Sequence, residues 1–303
     1  MLDLRRLEIL HRFAARGTIS ATAADLGYSP SAISQQLAAL EREAGVALLE
    51  RTAQRASLTD AGRELAEHAA RILAAAEAAH SRMRARIGTV SGRVTVSCIH
   101  ALAPALAPHL AALQRAHPEL NVVAHETGSV TAAAAVLDRR YDLAVIDDWS
   151  EHPPAEGTGL SVHRLRREDI VLALPTDHAL AEQSGPATAA QLRKIVHHET
   201  WLCAPVGQLS RAAGDRYLTA VDATPPRRWE FEGLHILAAL VATGAGVAFL
   251  PAGLAQEQAG VVGLPLAASP QRTILALTRT TTREDPAVTA CLQAARQALS
   301  RGR

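Results

Sequence analysis

An uninterrupted helical segment divides the chain into a short amino-terminal part and a long carboxy-terminal part. Residues 59–87 contain no helix breaker after Gly62. Their apolar positions follow one another at spacings of 4, 3, 4, 3 and 4 residues, which is the pattern of a heptad seam. These positions are Leu65, Ala69, Ile72, Ala76, Ala79 and Met83. A lone helix of this length needs a partner, so we predict a dimerisation helix. The alternative is an amphipathic helix packed on its own domain.

Length and charge limit the class of protein on either side of this helix. A chain of 303 residues with 48% hydrophobic residues can form two domains with sizeable cores. The formal net charge of +1 excludes a whole-molecule attraction to nucleic acid or membrane, so any electrostatic footprint must be local. Charged residues interrupt the apolar runs near the amino terminus, and no apolar run is long enough to span a bilayer. We therefore expect a soluble, cytoplasmic protein with no membrane partner.

Several kinds of reactive site find little support in the sequence. Cys98, Cys203 and Cys291 are odd in number and widely spaced, which argues against a disulfide framework or a zinc site and fits a reducing cytosol. The histidines lack the spacing of a metal-binding helix, so no metal is expected. The stretch 242–249 holds a lone Gly-x-Gly and no complete phosphate-binding motif. A nucleophilic Cys–His pair has no local support, while redox sensing by Cys98 or Cys203 stays an alternative to a structural role.

The amino-terminal part is predicted to form three short helices followed by a hairpin. Asp3 is the expected cap of the first helix and Ser20 that of the second. The apolar face of the first helix is Leu4, Leu7, Leu10 and Phe13. Ser29 is the expected cap of the third helix, and Pro30 takes its first helical position, where a missing N–H costs nothing. The hairpin is predicted to turn near residues 52–55.

The third helix carries uncharged polar residues on the side away from its apolar face. The apolar face is Ile33, Leu37, Leu40 and Ala44, and the opposite side is Ser31, Gln35, Ala38 and Arg42, with Ser34 beside them. Gln35 can pair with an adenine edge, and serine can contact any base or a phosphate. Together with the preceding short helix this pattern indicates a helix-turn-helix. Arg51 and Arg55 would then meet phosphates from the hairpin, as a wing does. The alternative is a solvated helix face beside a hairpin.

From Gly92 onward, strand and helix patterns alternate, which predicts a parallel sheet with crossover helices in two α/β lobes. In such folds ligands gather at the carboxyl ends of strands and at helix starts. This rule selects Cys98–His100, Thr127–Ser129, Asp148–Trp149, Trp201–Cys203 and Gly246–Val247. Ser129 is also the expected cap of the following helix, and a carboxylate ligand bound at this edge is expected to contact His100 or Ser129. The alternative is a ligand that is not a simple acid.

The amino-terminal sequence resembles the LysR-type transcriptional regulators. The residues that carry the resemblance run from the first helix through "SPSAISQ" to the "LTDAG" that opens the long helix, with weaker landmarks such as "VATGAGVAFLP" further on. Leu49 stands where the family usually has Phe, and Gln35 where it often has Arg. The resemblance implies homodimers, commonly assembling to tetramers, a small-molecule co-inducer and no enzymatic activity. It also implies an effector domain of two lobes like periplasmic binding proteins, lobe I over 90–161 and 266–303 and lobe II over 162–265.

The resulting hypothesis is a ligand-responsive transcription factor of mixed α+β and α/β class. Its parts are a winged helix-turn-helix over 1–58, a linker helix over 59–87 and an effector-binding domain over 88–303. The residues expected to contact DNA are Ser20, Thr22, Ser29, Pro30, Ser31, Ser34, Gln35, Gln36, Arg51 and Arg55. The residues expected to contact the effector are Cys98, His100, Thr127, Ser129, Trp201, Cys203, Gly246 and Val247. Expected partners are promoter DNA, a second copy of the chain, the effector and RNA polymerase. The rival hypotheses are a solute-binding protein and an α/β enzyme.

Overall fold

The computed structural model describes residues 1–51, 56–150 and 159–300. The amino-terminal domain consists of α1 (Leu4–Arg16), α2 (Ile19–Leu26), α3 (Pro30–Ala44), β1 (Leu49–Arg51) and β2 (Ala56–Leu58). β1 and β2 pair antiparallel, as the predicted hairpin requires. The predicted turn of this hairpin, and the loop that follows Ser150, lie outside the described residues.

Two expectations for the amino-terminal domain are wrong. Thr18 caps α2 in place of Ser20, because the helix begins at Ile19 and the Thr18 hydroxyl accepts a hydrogen bond from the backbone N–H of Ala21 at 3.1 Å. Leu4 is 48% exposed because it lies in the first turn of α1, at the edge of the domain, and Ile9 is buried in the core. The rest of the predicted apolar face of α1 is buried with the apolar face of α3.

The long helix is present as α4 (Asp60–Ile87), capped by Thr59. Its first turns pack on the amino-terminal domain, where Ala66 and Ala69 are buried. Further along, Ile72, Met83 and Ile87 are exposed by 40%, 53% and 73% in the single chain. The apolar seam of α4 is therefore only partly covered within one chain.

Gly62 allows α4 to begin where it does. A Cβ atom at this position would lie 2.1 Å from the carbonyl oxygen of Leu48, which no side chain tolerates. The carbonyl oxygen of Leu48 also accepts a hydrogen bond from the backbone N–H of Thr59 at 3.0 Å. The start of α4 is thus held directly against the strand that opens the wing, so the wing and the long helix form one packed unit.

The carboxy-terminal domain is built on one mixed sheet covered by helices. Its elements in chain order are β3 (Gly92–Cys98), α5 (Ala103–Ala116), β4 (Leu120–Glu126), α6 (Ser129–Leu137), β5 (Leu143–Asp148), β6 (Leu160–Pro175), α7 (Ala189–His198), β7 (Trp201–Cys203), α8 (Leu209–Ala220), β8 (Arg228–Glu230), α9 (Leu234–Ala242), β9 (Val247–Pro251), α10 (Ala252–Glu257), β10 (Val261–Leu264), β11 (Gln271–Arg279) and α11 (Pro286–Ser300). The strand order is β4-β3-β5-β11-β6-β9-β7-β8, and β10 also pairs with β6.

The prediction of a parallel sheet is correct only for part of each lobe. β3, β4 and β5 are parallel, as are β7, β8 and β9. β11 and β6 run antiparallel to their neighbours, because the chain crosses between the lobes through these two strands. The alternation of strand and helix in the sequence carries no information about the strands that make this crossing.

The lobe boundary lies inside β6, further along the chain than predicted. Residues 160–169 of β6 pair with β11 in lobe I, whereas residues 170–175 pair with β9 and β10 in lobe II. Leu160 belongs to the core of lobe I, and Ile170 belongs to a core of lobe II. The placement of lobe II from residue 162 is therefore corrected to about residue 170, because one long strand serves both lobes.

A charged network joins α4 to lobe I. The buried Arg279 donates through Nε to both carboxylate oxygens of Glu77 on α4, at 2.9 and 3.1 Å, and through Nη2 to Asp142 at 2.6 Å. Its Nη1 donates to the carbonyls of Val136 and Tyr141 at 2.9 and 2.7 Å. Every nitrogen of this guanidinium thus contacts an acceptor, and Arg279 holds the long helix on the lobe.

A second polar contact joins the amino-terminal domain to lobe I. Asp25, at the end of α2, accepts from Arg12 and Arg16 of its own domain at 3.1 and 3.0 Å. The same carboxylate lies 3.1 Å from Nε of Arg140 in lobe I. The helices of the amino-terminal domain and lobe I are therefore in direct contact within one chain.

Candidate DNA interface and effector cleft

α3 separates an apolar side from a polar side. Ile33, Leu37 and Leu40 are fully buried against the rest of the amino-terminal domain. Ser31, Gln35 and Gln36 are exposed, Ser34 is half-buried, and Ala38 and Arg42 lie on the same outward side. This side bears short polar side chains at its amino-terminal end, which is the end that a recognition helix inserts into a major groove.

Ser29 and Pro30 fix the start of α3. Ser29 Oγ accepts from the backbone N–H of Ala32 at 3.2 Å and lies 3.0 Å from Ser31 Oγ. Both serines are exposed, so they can exchange this mutual contact for a phosphate or base edge. The predicted cap at Ser29 is thereby confirmed.

Thr22 is not a surface residue. It is completely buried, and its hydroxyl donates to the carbonyl of Thr18 at 2.8 Å. Its place in the predicted DNA-contacting set is corrected, because its side chain is buried and its hydroxyl is bonded to the backbone at the start of α2. Ser20 is exposed on α2 and stays a predicted contact.

Arg5 and Arg6 add positive charge beside α3 that the sequence pattern did not reveal. Arg5 donates to the Tyr28 hydroxyl and stacks its guanidinium 5.5 Å from the centre of the Tyr28 ring. Arg6 donates through Nε to Gln36 Oε1 at 3.0 Å and pairs with Glu43. Gln36 is therefore held by α1. In the sequence, the only sign of this arrangement is that two arginines are adjacent at the start of the first helix.

Glu41 ties the wing to α3. Its Oε1 accepts the backbone N–H groups of Leu48 and Leu49, each at 3.0 Å. This bond fixes where β1 leaves the helical core, and therefore where the wing lies relative to α3. The side chain of Arg51 and the whole of Arg55 are outside the described residues, so their predicted phosphate contacts stay predictions.

A cleft of about 310 Å³ lies between the two lobes. Lobe I supplies the segments that follow β3, β4 and β5, and lobe II supplies the segments that follow β7 and β8. The lining residues are Ile99, His100, Ala101, Glu126, Thr127, Gly128, Ser129, Val130, Thr131, Asp147, Trp149, Ala204, Gly207, Gln208, Leu209, Ser210, Glu232, Gly233 and Leu234. The structure thus brings together the predicted His100, Thr127 and Ser129.

Asp147 organises the floor of the cleft. Its carboxylate accepts from Ser129 Oγ and from Trp149 Nε1, each at 2.7 Å, and lies 3.5 Å from Nη1 of Arg272. Gly128 precedes α6 in the capping position, so the expectation that Ser129 caps the helix is wrong. The Ser129 hydroxyl instead donates a hydrogen bond to the Asp147 carboxylate, 18 residues further along the chain.

His100 spans the opening between the lobes. Its Nδ1 lies 3.9 Å from Glu126 Oε1 in lobe I. On the other side, a Cβ atom at Gly233 of lobe II would lie 3.4 Å from His100 Nε2. Gly233 has a φ of 102°, a left-handed conformation that favours glycine. Burial lowers the pKa of the nearby His235, and the charge of His100 lowers it further.

Five predicted effector contacts lie elsewhere. Cys98, Trp201, Cys203, Gly246 and Val247 are buried, and none lines this cleft. At Gly246 a Cβ would meet the carbonyl oxygen of Thr200 at 2.3 Å, so this glycine serves close packing of two strands. The ends of β3 and β7 are in the cores, and the following loops reach the cleft. The lining residues that the sequence did not single out include Glu126 and Asp147, which are still within β4 and β5, and Gln208 and Glu232, which lie in the loops beyond β7 and β8.

The three thiols are free and buried. Burial raises the pKa of the Cys98 thiol and that of the Cys203 thiol, in spite of Arg211 near the latter. Burial also raises the pKa of the Cys291 thiol to about 12. Reactive cysteines have lowered thiol pKa values and partial exposure, which none of these three shows.

These features define a class of protein. A helix-turn-helix with an outward polar recognition helix is suited to DNA, and a cleft between two α/β lobes is suited to a small molecule. The long helix between them leaves part of an apolar seam uncovered. Together they define a ligand-responsive DNA-binding protein. Among the described helices, none is both long and apolar enough to cross a membrane.

Family comparison identifies the chain within this class. Residues 4–63 match the bacterial regulatory helix-turn-helix proteins of the lysR family, and residues 88–300 match the LysR substrate binding domain. The chain belongs to the LysR family of transcriptional regulators, which are DNA-binding, effector-binding proteins without enzymatic activity.

Individual relatives agree with this assignment. The nitrogen assimilation regulatory protein nac of Escherichia coli is 28% identical over 267 residues, covering 86% of this chain and 82% of the relative. A probable hydrogen peroxide-inducible genes activator of Mycobacterium xenopi is 35% identical over 176 residues, covering 57% of this chain and 90% of the relative. A full-length OxyR variant from Pseudomonas aeruginosa has the same fold, with a TM-score of 0.69, 20% identity and coverage of 98% and 95%.

Proposed function

We propose that this regulator reads its operator with the amino-terminal end of α3 and responds to a small molecule held between its lobes. The proposed DNA contacts are Ser20, Ser29, Pro30, Ser31, Ser34, Gln35, Gln36, Arg51 and Arg55, joined by Arg5. The observation that carries the proposal is the division of α3 into a fully buried apolar side and an exposed side of uncharged hydrogen-bonding residues. The proposed setting is the bacterial cytoplasm.

Two copies are proposed to associate through the exposed part of the α4 seam. Ile72 and Met83 of the seam, and Ile87 beyond it, are large apolar side chains that one chain covers only in part. A twofold arrangement of two recognition helices suits an interrupted palindrome. Pairs of dimers forming a tetramer, and contact with RNA polymerase, are extensions of this proposal.

We propose that effector binding is coupled to DNA binding by the contacts between lobe I and the amino-terminal domain, residues 1–58, which we call the reading head. Arg140 of lobe I meets Asp25 of the head, and Arg279 holds Glu77 of α4. A ligand can shift the equilibrium between two arrangements of the lobes only if it binds one arrangement more tightly than the other. Because the amino-terminal domain contacts lobe I, this shift would also change the position of the recognition helix. The cleft lies on the carboxyl-end side of lobe I, so a ligand there contacts α6, whose far end leads into Arg139 and Arg140.

Peroxide sensing is not favoured as a second function, although one relative is named a probable hydrogen peroxide-inducible genes activator. Cys98 and Cys203 come from opposite lobes and have buried thiols with raised pKa values. Thiolate is the nucleophile that reacts with peroxide. A regulator with these cysteines is suited to a bound effector and not to oxidation.

The test is a mobility shift with the DNA upstream of the protein's own coding sequence. Gln35→Ala should weaken binding to the specific fragment by about 1–3 kcal/mol and relax preference at one or two base pairs. Gln293→Ala, an exposed glutamine on α11, is the matched control and should bind normally. Equal losses on specific and random DNA for Gln35→Ala would show that α3 does not read bases.

A further inference from the structure

The charged side chains that line the cleft between the lobes are acidic. They are Glu126, Asp147 and Glu232, and among the described residues no lysine or arginine belongs to the lining. His100 is the remaining ionisable side chain there. A ligand that carries only negative charge would meet like charge on both walls of this cleft.

Asp147 does not need a ligand to balance its charge. Arg272 lies behind it, with Nη1 at 3.5 Å from the carboxylate, and the same arginine donates through Nε to the buried Glu168 at 2.6 Å. Ser129 and Trp149 each donate a hydrogen bond to Asp147 as well. The carboxylate on the floor of the cleft therefore has a counter-charge behind it, although Nη1 of Arg272 is itself buried without a hydrogen bond, and the exposed carboxylates are on the walls.

Glu126 and Glu232 occupy those walls, one on each lobe. The Glu126 side chain is 73% exposed, and the imidazole Nδ1 of His100 lies 3.9 Å from its carboxylate. Glu232 is also exposed and accepts from Gln208 Nε2 at 3.2 Å. If the lobes close on a ligand, both carboxylates lose water, which is costly unless a positive group replaces it. A ligand ammonium or guanidinium group between the two walls would remove this cost.

The cleft also offers positions for a negative group. Among the described helices, α6, α8 and α9 begin at the cleft, and none of the three has a side-chain cap. The Ser129 hydroxyl, which could have capped α6, is turned to Asp147 instead. Uncapped N–H groups and the positive ends of the helix dipoles attract a carboxylate. These starts come from both lobes, as do the glutamates.

We propose that the effector of this regulator is a small zwitterion, an α-amino acid or a close derivative that keeps both its ammonium and its carboxylate. The ammonium or a side-chain cation lies between Glu126 and Glu232, and the carboxylate lies at the helix starts. A cleft of about 310 Å³ is at the small end of ligand pockets, which suits a single amino acid. This inference rests on the proposed function of the cleft, and it replaces the expectation of a simple carboxylate ligand.

The test uses the full-length protein and a panel matched by charge class. Thermal shift and titration calorimetry are run with the common L-α-amino acids, with agmatine, putrescine and cadaverine as amines, and with succinate, 2-oxoglutarate and benzoate as carboxylates. At least one amino acid should raise the melting temperature and bind at least tenfold more tightly than every amine and carboxylate. Carboxylates that bind as tightly as any amino acid would overturn the inference, and so would a panel in which no amino acid binds.

Variants locate the binding. Glu126→Gln and Glu232→Gln should each weaken the bound amino acid at least tenfold, while the exposed Glu182→Gln on lobe II should not. Val130→Trp, at an exposed position of the lining, should block the cleft. If a carboxylate binds, and its binding is abolished by Val130→Trp but unchanged by the glutamate variants, the cleft is still the effector site. That result would refute the inference that the effector is a zwitterion. An amino acid insensitive to all three variants binds elsewhere, which refutes the inference. Mobility shifts of the same variants without ligand test DNA binding separately.

Discussion

Removal of the Arg279 guanidinium tests how firmly the long helix is held on lobe I. Arg279→Met keeps an unbranched stem of similar length and deletes the charged head. The side chain is 5% exposed, so the vacated position is not open to bulk water. Two carboxylates, Glu77 and Asp142, and two backbone carbonyls then lose the hydrogen bonds that Arg279 donates, while Asp142 keeps the backbone N–H of Thr95 at 2.8 Å.

The expected loss follows from the exposure of the partners. Breaking a buried ion pair by removing one member costs about 3–5 kcal/mol. The Glu77 and Asp142 side chains are 20% and 26% exposed, so water can reach them in part and the low end applies. We expect a loss of about 3 kcal/mol, which lowers the melting temperature of a domain this size by roughly 6–12 °C. Glu77 keeps Thr281 and Arg139 as weaker partners, which limits the loss further.

Urea denaturation of the full-length protein, followed by far-UV circular dichroism, measures this loss. Arg283→Met is the matched control, because Arg283 is an exposed arginine four residues further along the chain. The control should stay within about 0.5 kcal/mol of the wild type. If Arg279→Met also stays within that range, the network contributes no net stability, and α4 is held on lobe I by apolar packing alone.

Three further predictions concern other parts of the molecule. Ile72→Asp should place two unpaired carboxylates in the α4 seam of a dimer, so light scattering should show a shift toward the monomer, and an unchanged oligomer would assign the seam to packing within one chain. Gly62→Ala should destabilise the amino-terminal domain by at least about 2 kcal/mol because its Cβ would meet the Leu48 carbonyl oxygen, and a normal melting curve would contradict that close approach. Burial lowers the folded-state pKa of His11 below its unfolded value of about 6.5, so the unfolded state takes up the proton first and stability should fall as pH drops below about 6.5. The variant His11→Gln should lose less stability over that pH range, and identical pH profiles would remove His11 as a cause.

The sequence predicted the reading head well because its structure is set by local patterns. Apolar spacing identified the buried side of α3, and Ser29 followed by Pro30 marked its start. The cap of α2 was placed two residues late, because Thr18 and Ser20 are both good caps and only the packed structure selects between them. Helix boundaries of this kind depend on tertiary contacts that spacing does not contain.

The cleft was harder to predict because its residues meet through long-range contacts. The rule that ligands bind at strand ends selected the edge of lobe I that lines the cleft, including His100 and Ser129. It failed in lobe II, where the last residues of β7 belong to the core and the loops beyond β7 and β8 reach the cleft. The bond between Ser129 and Asp147 left no trace in the spacing of the sequence, so the serine was misread as a cap.

The position of the lobe boundary inside β6 makes lobe II an insertion in lobe I. The chain leaves lobe I at Asp169 and returns at Gln271, and these two residues are paired across β6 and β11. The backbone N–H of Ile170 also donates to the carbonyl of Pro270 at 3.0 Å. Domain insertion is tolerated best where the two ends of the inserted segment lie close together. We therefore expect that recombination at these two positions would exchange lobe II as a unit, leaving the amino-terminal domain and α4 unchanged and giving the cleft a different second wall.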